Sequence, residues 1–259
     1  MNLIKPAKLK KGDTIAIIAP SGEVDMKKIQ KAVSFFENSG FKVQLGANID
    51  KCKNYLAGCD EERLEDLHNA FLNPEIKAII CARGGYGAIR LVNKINYDII
   101  KNNPKIFCGY SDITALSAMI LKKTGLITFS GAMAQSDFAQ DKSEDFTIKS
   151  FFATLIEGKC TLTANSNTRV NASGILFGGN LATLVSLCGL DFIPDEKFIF
   201  FTEDVGEPVY KIDRYFTQLL NIEIFRKNIT AIALGEFLDV DNQEFLQDLF
   251  NQIEIPVIG

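Results

Sequence analysis

The sequence predicts an α/β protein of two domains, each with a parallel β-sheet covered by helices. Three observations predict this fold class. The chain has 259 residues, enough for one large domain or two of roughly 100–200 residues each. In both halves, short runs rich in Ile, Val and Phe alternate with amphipathic segments, which is typical of strand–helix–strand units. A polar stretch without periodicity, residues 135–149, interrupts this alternation and predicts a surface loop or linker.

The N-terminal half alternates four predicted strands with helical segments. Met26–Asn38 carries apolar residues at helical spacing, and Gly40 is suited to the C-terminal end of that helix. Glu61–Leu72 has the same spacing and predicts a second helix. The runs between them are short, apolar and bounded by Gly, Pro or polar residues, as buried strands are. The predicted strands are Thr14–Ala19, Phe41–Leu45, Lys77–Ala82 and Lys105–Gly109.

The same alternation returns after the polar stretch and predicts a second α/β domain. We expect an N-terminal domain over residues 1–145, a linker region over 146–170 and a C-terminal domain over 171–259. The C-terminal elements are strands at Gly174–Phe177, Phe198–Phe201, Ala231–Phe237 and Ile255–Ile258, and helices from Asn180, around Tyr210–Leu220 and near Gln243–Phe250.

The composition excludes several classes of function. The chain has 28 Lys and Arg against 32 Asp and Glu, a formal charge of -4, which argues against the basic face of a nucleic-acid-binding protein. No run approaches the roughly 18 apolar residues of a membrane span, and the charged N-terminus argues against a signal peptide. The six cysteines show no metal spacing, and Cys81 and Cys108 lie in apolar runs, as buried reduced thiols do. We therefore expect a cytoplasmic protein without metal or cofactor that binds neither nucleic acid nor membrane.

The segment Phe107–Thr114, FCGYSDIT, combines a strand, a serine and an apolar helix without a gap. A serine on such a sharp strand-to-helix turn exposes its hydroxyl beside backbone N–H groups of the helix start, which is the geometry of a nucleophile elbow. The match to G-x-S-x-G is incomplete. Capping of the helix by Ser111 or Asp112 is the alternative, and the local sequence does not decide between the two.

Two glycine pairs follow predicted strands. In Arg83-Gly-Gly-Tyr-Gly87 the glycines allow close approach of a ligand and expose N–H groups to an anion; a plain turn is the alternative. Phe177-Gly-Gly-Asn180 opens a helix in the same way, although Asn180 is also suited to be only an N-cap. Ala19-Pro-Ser-Gly22 is interpreted as an ordinary loop between strand and helix.

Carboxylates are available near the end of the strand Phe198–Phe201, but a base is not. Glu203 and Asp204 stand where this strand emerges, the usual place for catalytic carboxylates in open sheets, with a solvated rim as the alternative. A serine nucleophile needs a base, and the one histidine of the sequence, His68, has the spacing of a half-buried helix residue. The residues alone therefore predict a serine and carboxylates without a base.

Taken together, five motifs resemble those of the LD-carboxypeptidase family. These serine peptidases include muramoyltetrapeptide carboxypeptidases and microcin self-immunity proteins, and they cleave an L,D-peptide bond without metal by a Ser–Glu–His triad. The motifs keep the family's order over nearly the whole chain: K-x-G-D-x-I-x-x-x-A-P-S-G, R-G-G-Y-G, G-Y-S-D, G-G-N-L and E-D-x-x-E-x-x-Y-x-x-D-R.

The resemblance assigns roles to individual residues. It implies an N-terminal and a C-terminal α/β domain with the active site at their junction, and a homodimer. Ser111 corresponds to the nucleophile and Glu203 to the carboxylate that orients the histidine. The backbone N–H groups of Gly85 and Asp112 correspond to the oxyanion donors. Substrate contacts are expected at Arg83, Tyr86 and Asn180.

The chain departs from the family at its last residues. The family's histidine stands in a G-H pair shortly after a strand of the type P-V-x-x-G, which corresponds to Pro256–Gly259, and the printed sequence stops there. We expect a truncated chain that by itself is nearly inactive.

The resemblance implies an L,D-carboxypeptidase that releases terminal D-alanine from muropeptide tetrapeptides in cell-wall recycling. Two alternatives stay open. One is a hydrolase of the microcin-immunity type, which cleaves an acyl-sulfamoyl adenylate. The other is a non-catalytic muropeptide-binding protein, because the glycine loops and Arg83 remain in a chain without the histidine.

Overall fold

A computed structural model describes residues 2–140, 145–160 and 171–259, which fall into two compact units. The N-terminal unit comprises the described residues up to 160, and the C-terminal unit those from 171 onwards. Each unit contains a four-stranded sheet in which all paired strands are parallel. The predicted fold class is therefore confirmed.

In the N-terminal unit, the strand order of the sheet is β2-β1-β3-β4. The four strands lie where the sequence predicts them, and the two long helices agree within one residue. The six-residue helix α3 was not expected, because it is too short to show an apolar period. The elements are β1 (Thr14–Ile18), α1 (Met26–Asn38), β2 (Lys42–Leu45), α2 (Asp60–Leu72), β3 (Ile76–Cys81), α3 (Tyr97–Asn102), β4 (Ile106–Cys108), α4 (Thr114–Thr124), α5 (Ala134–Asp137) and α6 (Asp145–Phe152).

Local sequence explains the ends of α1 and the burial of the sheet. The carboxylate of Asp25 accepts a hydrogen bond from the N–H of Lys27 and caps the helix, whose last turn is closed by the N–H of Gly40 on Glu37 O. Ile15 and Ile17 in β1 are fully buried, as expected of a central strand with helices on both faces.

The segment expected to be an irregular loop is helical at residues 135–137 and 145–149. Helix α6 and a π-helical turn at Ala153–Glu157 bring Phe151 and Leu155 into the core of the N-terminal unit, where the Phe151 ring lies 4.9 Å from that of Phe138. The acidic residues around Phe146 concealed the apolar spacing, because the buried side chains begin only after Lys149. The prediction of a loop and linker is therefore wrong for residues 145–157. Positions 141–144 and 161–170 lie outside the described residues.

The C-terminal unit has the strand order β5-β6-β7-β8 around a phenylalanine core. The Phe200 ring packs edge-on against Phe216 and Phe225. Strand β6 continues four residues beyond the predicted Phe201, because the polar residues that follow the apolar run still pair with β7. The elements are β5 (Ile175–Asn180), α7 (Leu181–Val185), β6 (Phe198–Val205), α8 (Val209–Leu220), α9 (Glu223–Asn228), β7 (Ile229–Leu238), α10 (Gln243–Gln252) and β8 (Val257–Ile258).

The two cysteines expected in the core are buried on neighbouring strands. Cys81 ends β3 and Cys108 ends β4, and burial raises the pKa of both thiols. Among the described residues, no helix is both long enough and apolar enough to span a membrane, and no group of three or more His, Cys, Asp or Glu is placed to hold a metal ion.

Candidate active site

Ser111 occupies the turn that joins β4 to α4. Its backbone has a φ of 60°, in the left-handed region that residues other than glycine rarely adopt. A single 3₁₀ turn, Ser111–Ile113, leads directly into the helix. Such a backbone costs about 1–2 kcal/mol and persists only where the surrounding structure imposes it. The turn thus has the strained strand–serine–helix geometry that the motif predicts for a nucleophile.

The loop Arg83–Gly87 lies directly against this serine. A Cβ built on Gly84 would be 2.9 Å from both Cβ and Oγ of Ser111, so any side chain there would have to displace the serine. The carbonyl oxygen of Gly84 also accepts a hydrogen bond of 3.3 Å from the N–H of Gly22. The structure therefore brings together Ser111, the loop that contains Gly85, and the loop Ala19–Gly22, which the sequence analysis interpreted as an ordinary loop.

The side chain of Asp112 connects these loops instead of capping α4. Its Oδ2 accepts hydrogen bonds from the hydroxyl of Ser21 (2.5 Å) and from the N–H of Ala88 (2.8 Å). Burial raises the pKa of this carboxyl, and its hydrogen bonds and the charge of Arg63 offset part of that rise. Asp112 thus ties the turn of Ser111 to the loops that follow β1 and β3.

A second buried bridge, between Arg63 and the same two loops, was missed by the sequence analysis. Arg63 in α2 donates from Nη1 to the carbonyls of Pro20 (2.7 Å) and Gly87 (3.0 Å), and from Nη2 to Asp60 (2.6 Å). Burial by itself would raise the pKa of the Asp60 carboxyl, but hydrogen bonds from Arg90, Lys94 and Arg63 outweigh it and hold the pKa well below its usual range. The available signal was an arginine on the apolar face of a predicted helix.

Arg83 and Tyr86 lie on the outer side of the loop. The guanidinium of Arg83 donates to the carbonyl of Glu23 at 3.2 Å. The ring of Tyr86 is about half exposed, and its centroid is 5.7 Å from that of the exposed Tyr55. Gly85, between them, is also exposed. These positions are accessible to a ligand, and their substrate contacts stay a prediction.

The backbone of Ser111 leads to a stability prediction. Glycine adopts a φ of 60° without a Cβ penalty, so Ser111→Gly should be more stable to unfolding than Ser111→Ala by about 1 kcal/mol. Urea denaturation of the two variants measures the difference. Equal stability, or a more stable alanine variant, would show that the turn is not strained.

In the C-terminal unit, Glu203 is half-buried on β6. Its Oε1 is buried and has no hydrogen-bond partner among the described residues. Burial and the neighbouring Asp204 carboxylate raise the pKa of Glu203, whereas a hydrogen bond from Asn180 lowers it. A carboxylate with one unsatisfied buried oxygen is suited to accept an N–H from another group.

Asn180 and Asp204 form a hydrogen-bonded pair beside Glu203. The Asn180 amide accepts from the N–H of Thr183 and thereby caps α7, and it donates to Asp204 Oδ1 at 2.9 Å. Asp204 Oδ2 accepts from the N–H of Ala182 at 2.8 Å. Asn180 therefore has the capping role considered from the sequence, and its substrate contact stays a prediction.

His68 has the half-buried helical position expected from its spacing. Its Nε2 accepts the N–H of Asn96 at 3.0 Å, and burial lowers its pKa. The lone pair that a general base would use is therefore already engaged within the N-terminal unit.

Both units match known domains of one family. Residues 15–131 match the LD-carboxypeptidase N-terminal domain, and residues 173–259 match the LD-carboxypeptidase C-terminal domain. The chain belongs to the LD-carboxypeptidase family, which is a family of serine peptidases.

Individual relatives support this assignment. A probable murein peptide carboxypeptidase of Bacillus subtilis is 41% identical over 83% of this chain and 69% of its own length. The microcin C7 self-immunity protein MccF of Escherichia coli is 31% identical over 97% of this chain and 86% of its own. The crystal structure of muramoyltetrapeptide carboxypeptidase from Oxalobacter formigenes superposes with a TM-score of 0.87 at 31% identity, covering 95% of this chain and 87% of that one.

Proposed function

We propose that this protein is a serine L,D-carboxypeptidase of the cytoplasm that releases the terminal D-alanine from muropeptide tetrapeptides during cell-wall recycling. The observation that carries the proposal is Ser111, held at a φ of 60° between strand and helix with Gly84 against its hydroxyl. The similarity to murein peptide carboxypeptidases supports the choice of substrate.

In the proposed reaction, the Oγ of Ser111 attacks the carbonyl carbon before D-alanine. The negative charge on the carbonyl oxygen is stabilised by the N–H groups of Asp112 and Gly85. The C–N bond then breaks, D-alanine leaves with the proton taken from the serine, and water hydrolyses the acyl-enzyme. Because Gly84 has no side chain, the loop packs directly against the hydroxyl of Ser111.

Glu203 is proposed as the carboxylate that orients the base. In this role a carboxylate accepts one imidazole N–H and fixes the tautomer of the histidine. The buried Oε1 of Glu203, which has no hydrogen-bond partner in the described part of the chain, supports the assignment, because an imidazole N–H would satisfy it. The Asn180–Asp204 pair holds the adjacent backbone of β6 in place.

Substrate recognition is proposed at Arg83, Tyr86 and Asn180. A guanidinium has five N–H donors in a planar fork, which suits the terminal carboxylate of the peptide. The exposed ring of Tyr86 offers apolar contact surface to the rest of the ligand. Asn180 is proposed as a substrate contact from its place in the G-G-N-L motif. We also propose a homodimer, which light scattering would test.

Microcin-type immunity is the second candidate, favoured by the similarity to MccF over nearly the whole chain. Cleavage of an acyl-sulfamoyl adenylate needs the same serine and oxyanion donors but an aromatic site for the adenine. The chain has no Trp, which favours the muropeptide.

The test uses an extended chain, defined as residues 1–259 followed by a family segment with the G-H pair. Incubated in parallel with a muropeptide tetrapeptide and an aspartyl-sulfamoyl adenylate, it should release D-alanine and leave the adenylate intact. Preferential cleavage of the adenylate would establish the microcin alternative. Tetrapeptide binding in calorimetry with no turnover of either compound would establish the binding protein.

A further inference from the structure

We infer that Arg63 is a positioning residue: its buried side chain fixes the spacing of the two loops that border Ser111. The inference rests on the proposed function, since it concerns the oxyanion donors of that reaction. Arg63 lies on α2, outside all five motifs that carry the family resemblance.

The contacts of Arg63 join the two loops through one nitrogen atom. Nη1 donates to Pro20 O in the loop after β1 and to Gly87 O in the loop after β3. The side chain has no solvent exposure. Because these carbonyls need a donor away from water, losing the guanidinium would leave both without this partner.

Asp60 holds the guanidinium in this orientation. Its carboxylate forms ion pairs with Nη2 of Arg63 and with the partly exposed Arg90 and Lys94. An apolar pair of similar size would often be as stabilising as such a buried ion pair. An apolar pair has no N–H donors for the carbonyls of Pro20 and Gly87. The geometry therefore indicates that Arg63 positions the two loops.

A second bridge, made by the side chain of Asp112, connects these loops to the turn of Ser111. Arg63 joins Pro20 to Gly87, and Asp112 joins the next residues, Ser21 and Ala88. The two bridges therefore clamp the same loops at adjacent positions. Since Asp112 follows Ser111 directly, a shift of either loop would displace the N–H groups of Gly85 and Asp112 relative to the serine hydroxyl.

The test compares three variants of the extended chain. For Arg63→Met we expect kcat for D-alanine release to fall by about 10–100-fold while KM changes less than about threefold, because displaced oxyanion donors affect mainly the transition state. Arg63→Lys, which keeps a donor, should recover part of the loss. Lys94→Met removes another cation from Asp60 but no loop contact, and should keep kcat within about twofold of the wild type.

Hydrogen exchange on residues 1–259 gives a readout independent of activity. The N–H groups of Gly22 and Ala88, which donate across the loops, should exchange about tenfold faster in Arg63→Met than in Lys94→Met. If the methionine variant does not fold, Arg63→Lys is judged by the same two measurements.

The outcomes separate the two levels of the proposal. Unchanged kcat in Arg63→Met, or an equal loss in Lys94→Met, would overturn the positioning role even if stability falls. If the wild-type extended chain releases no D-alanine, the proposed function fails, and exchange alone then decides: unchanged rates at Gly22 and Ala88 would show that Arg63 does not fix the loops.

Discussion

Replacement of Ser111 by alanine in the extended chain is expected to lower kcat for D-alanine release by about a million-fold. The strained turn places this hydroxyl beside the Arg83–Gly87 loop. Alanine keeps the backbone N–H groups, so the tetrapeptide should still bind while no acyl-enzyme forms. Coupled detection of D-alanine measures the rate, and calorimetry measures the binding.

Ser117 provides a matched control for this substitution. It lies six residues further on, in α4, and its buried Oγ has no hydrogen-bond partner in the described structure. Ser117→Ala should leave kcat within about twofold and stability unchanged or slightly higher, because an unsatisfied hydroxyl is removed. Release of D-alanine by Ser111→Ala at the wild-type rate would refute the assignment of the nucleophile.

A polypeptide of residues 1–259 is expected to turn over the tetrapeptide about a million-fold more slowly than the extended chain. Without an imidazole to take its proton, Ser111 keeps the high pKa of an alcohol and is a poor nucleophile at pH 7. His68 does not supply the base, because its Nε2 accepts the Asn96 N–H. Glu203 is suited to orient a base and is too weak to replace one.

Assaying both chains side by side with the same tetrapeptide measures this difference, and calorimetry on the shorter chain checks that it binds. Comparable turnover would mean that the base lies elsewhere, with His68→Gln the first variant to examine. His68→Gln in the extended chain is the matched control and should retain full activity.

Much of the fold could be predicted because its signals are local. The period of α1 and the apolar runs of β1 and β3 are readable within a few residues, and parallel pairing follows from their alternation. Helix α6 was missed because the acidic residues just before Phe146 conceal its apolar spacing, whereas Phe151 packs against Phe36 in a distant part of the chain.

The sequence by itself determined the two parallel α/β domains, the family, and the turn that carries Ser111. Only the tertiary structure decided which groups support this turn. Asp112 contacts Ser21 across 91 residues of sequence, and Arg63 contacts Pro20 across 43. These contacts form because the strand order places the loops after β1, β3 and β4 side by side at the carboxyl ends of the strands. A motif records the residues of one loop, whereas contacts between loops depend on the order of the strands that carry them.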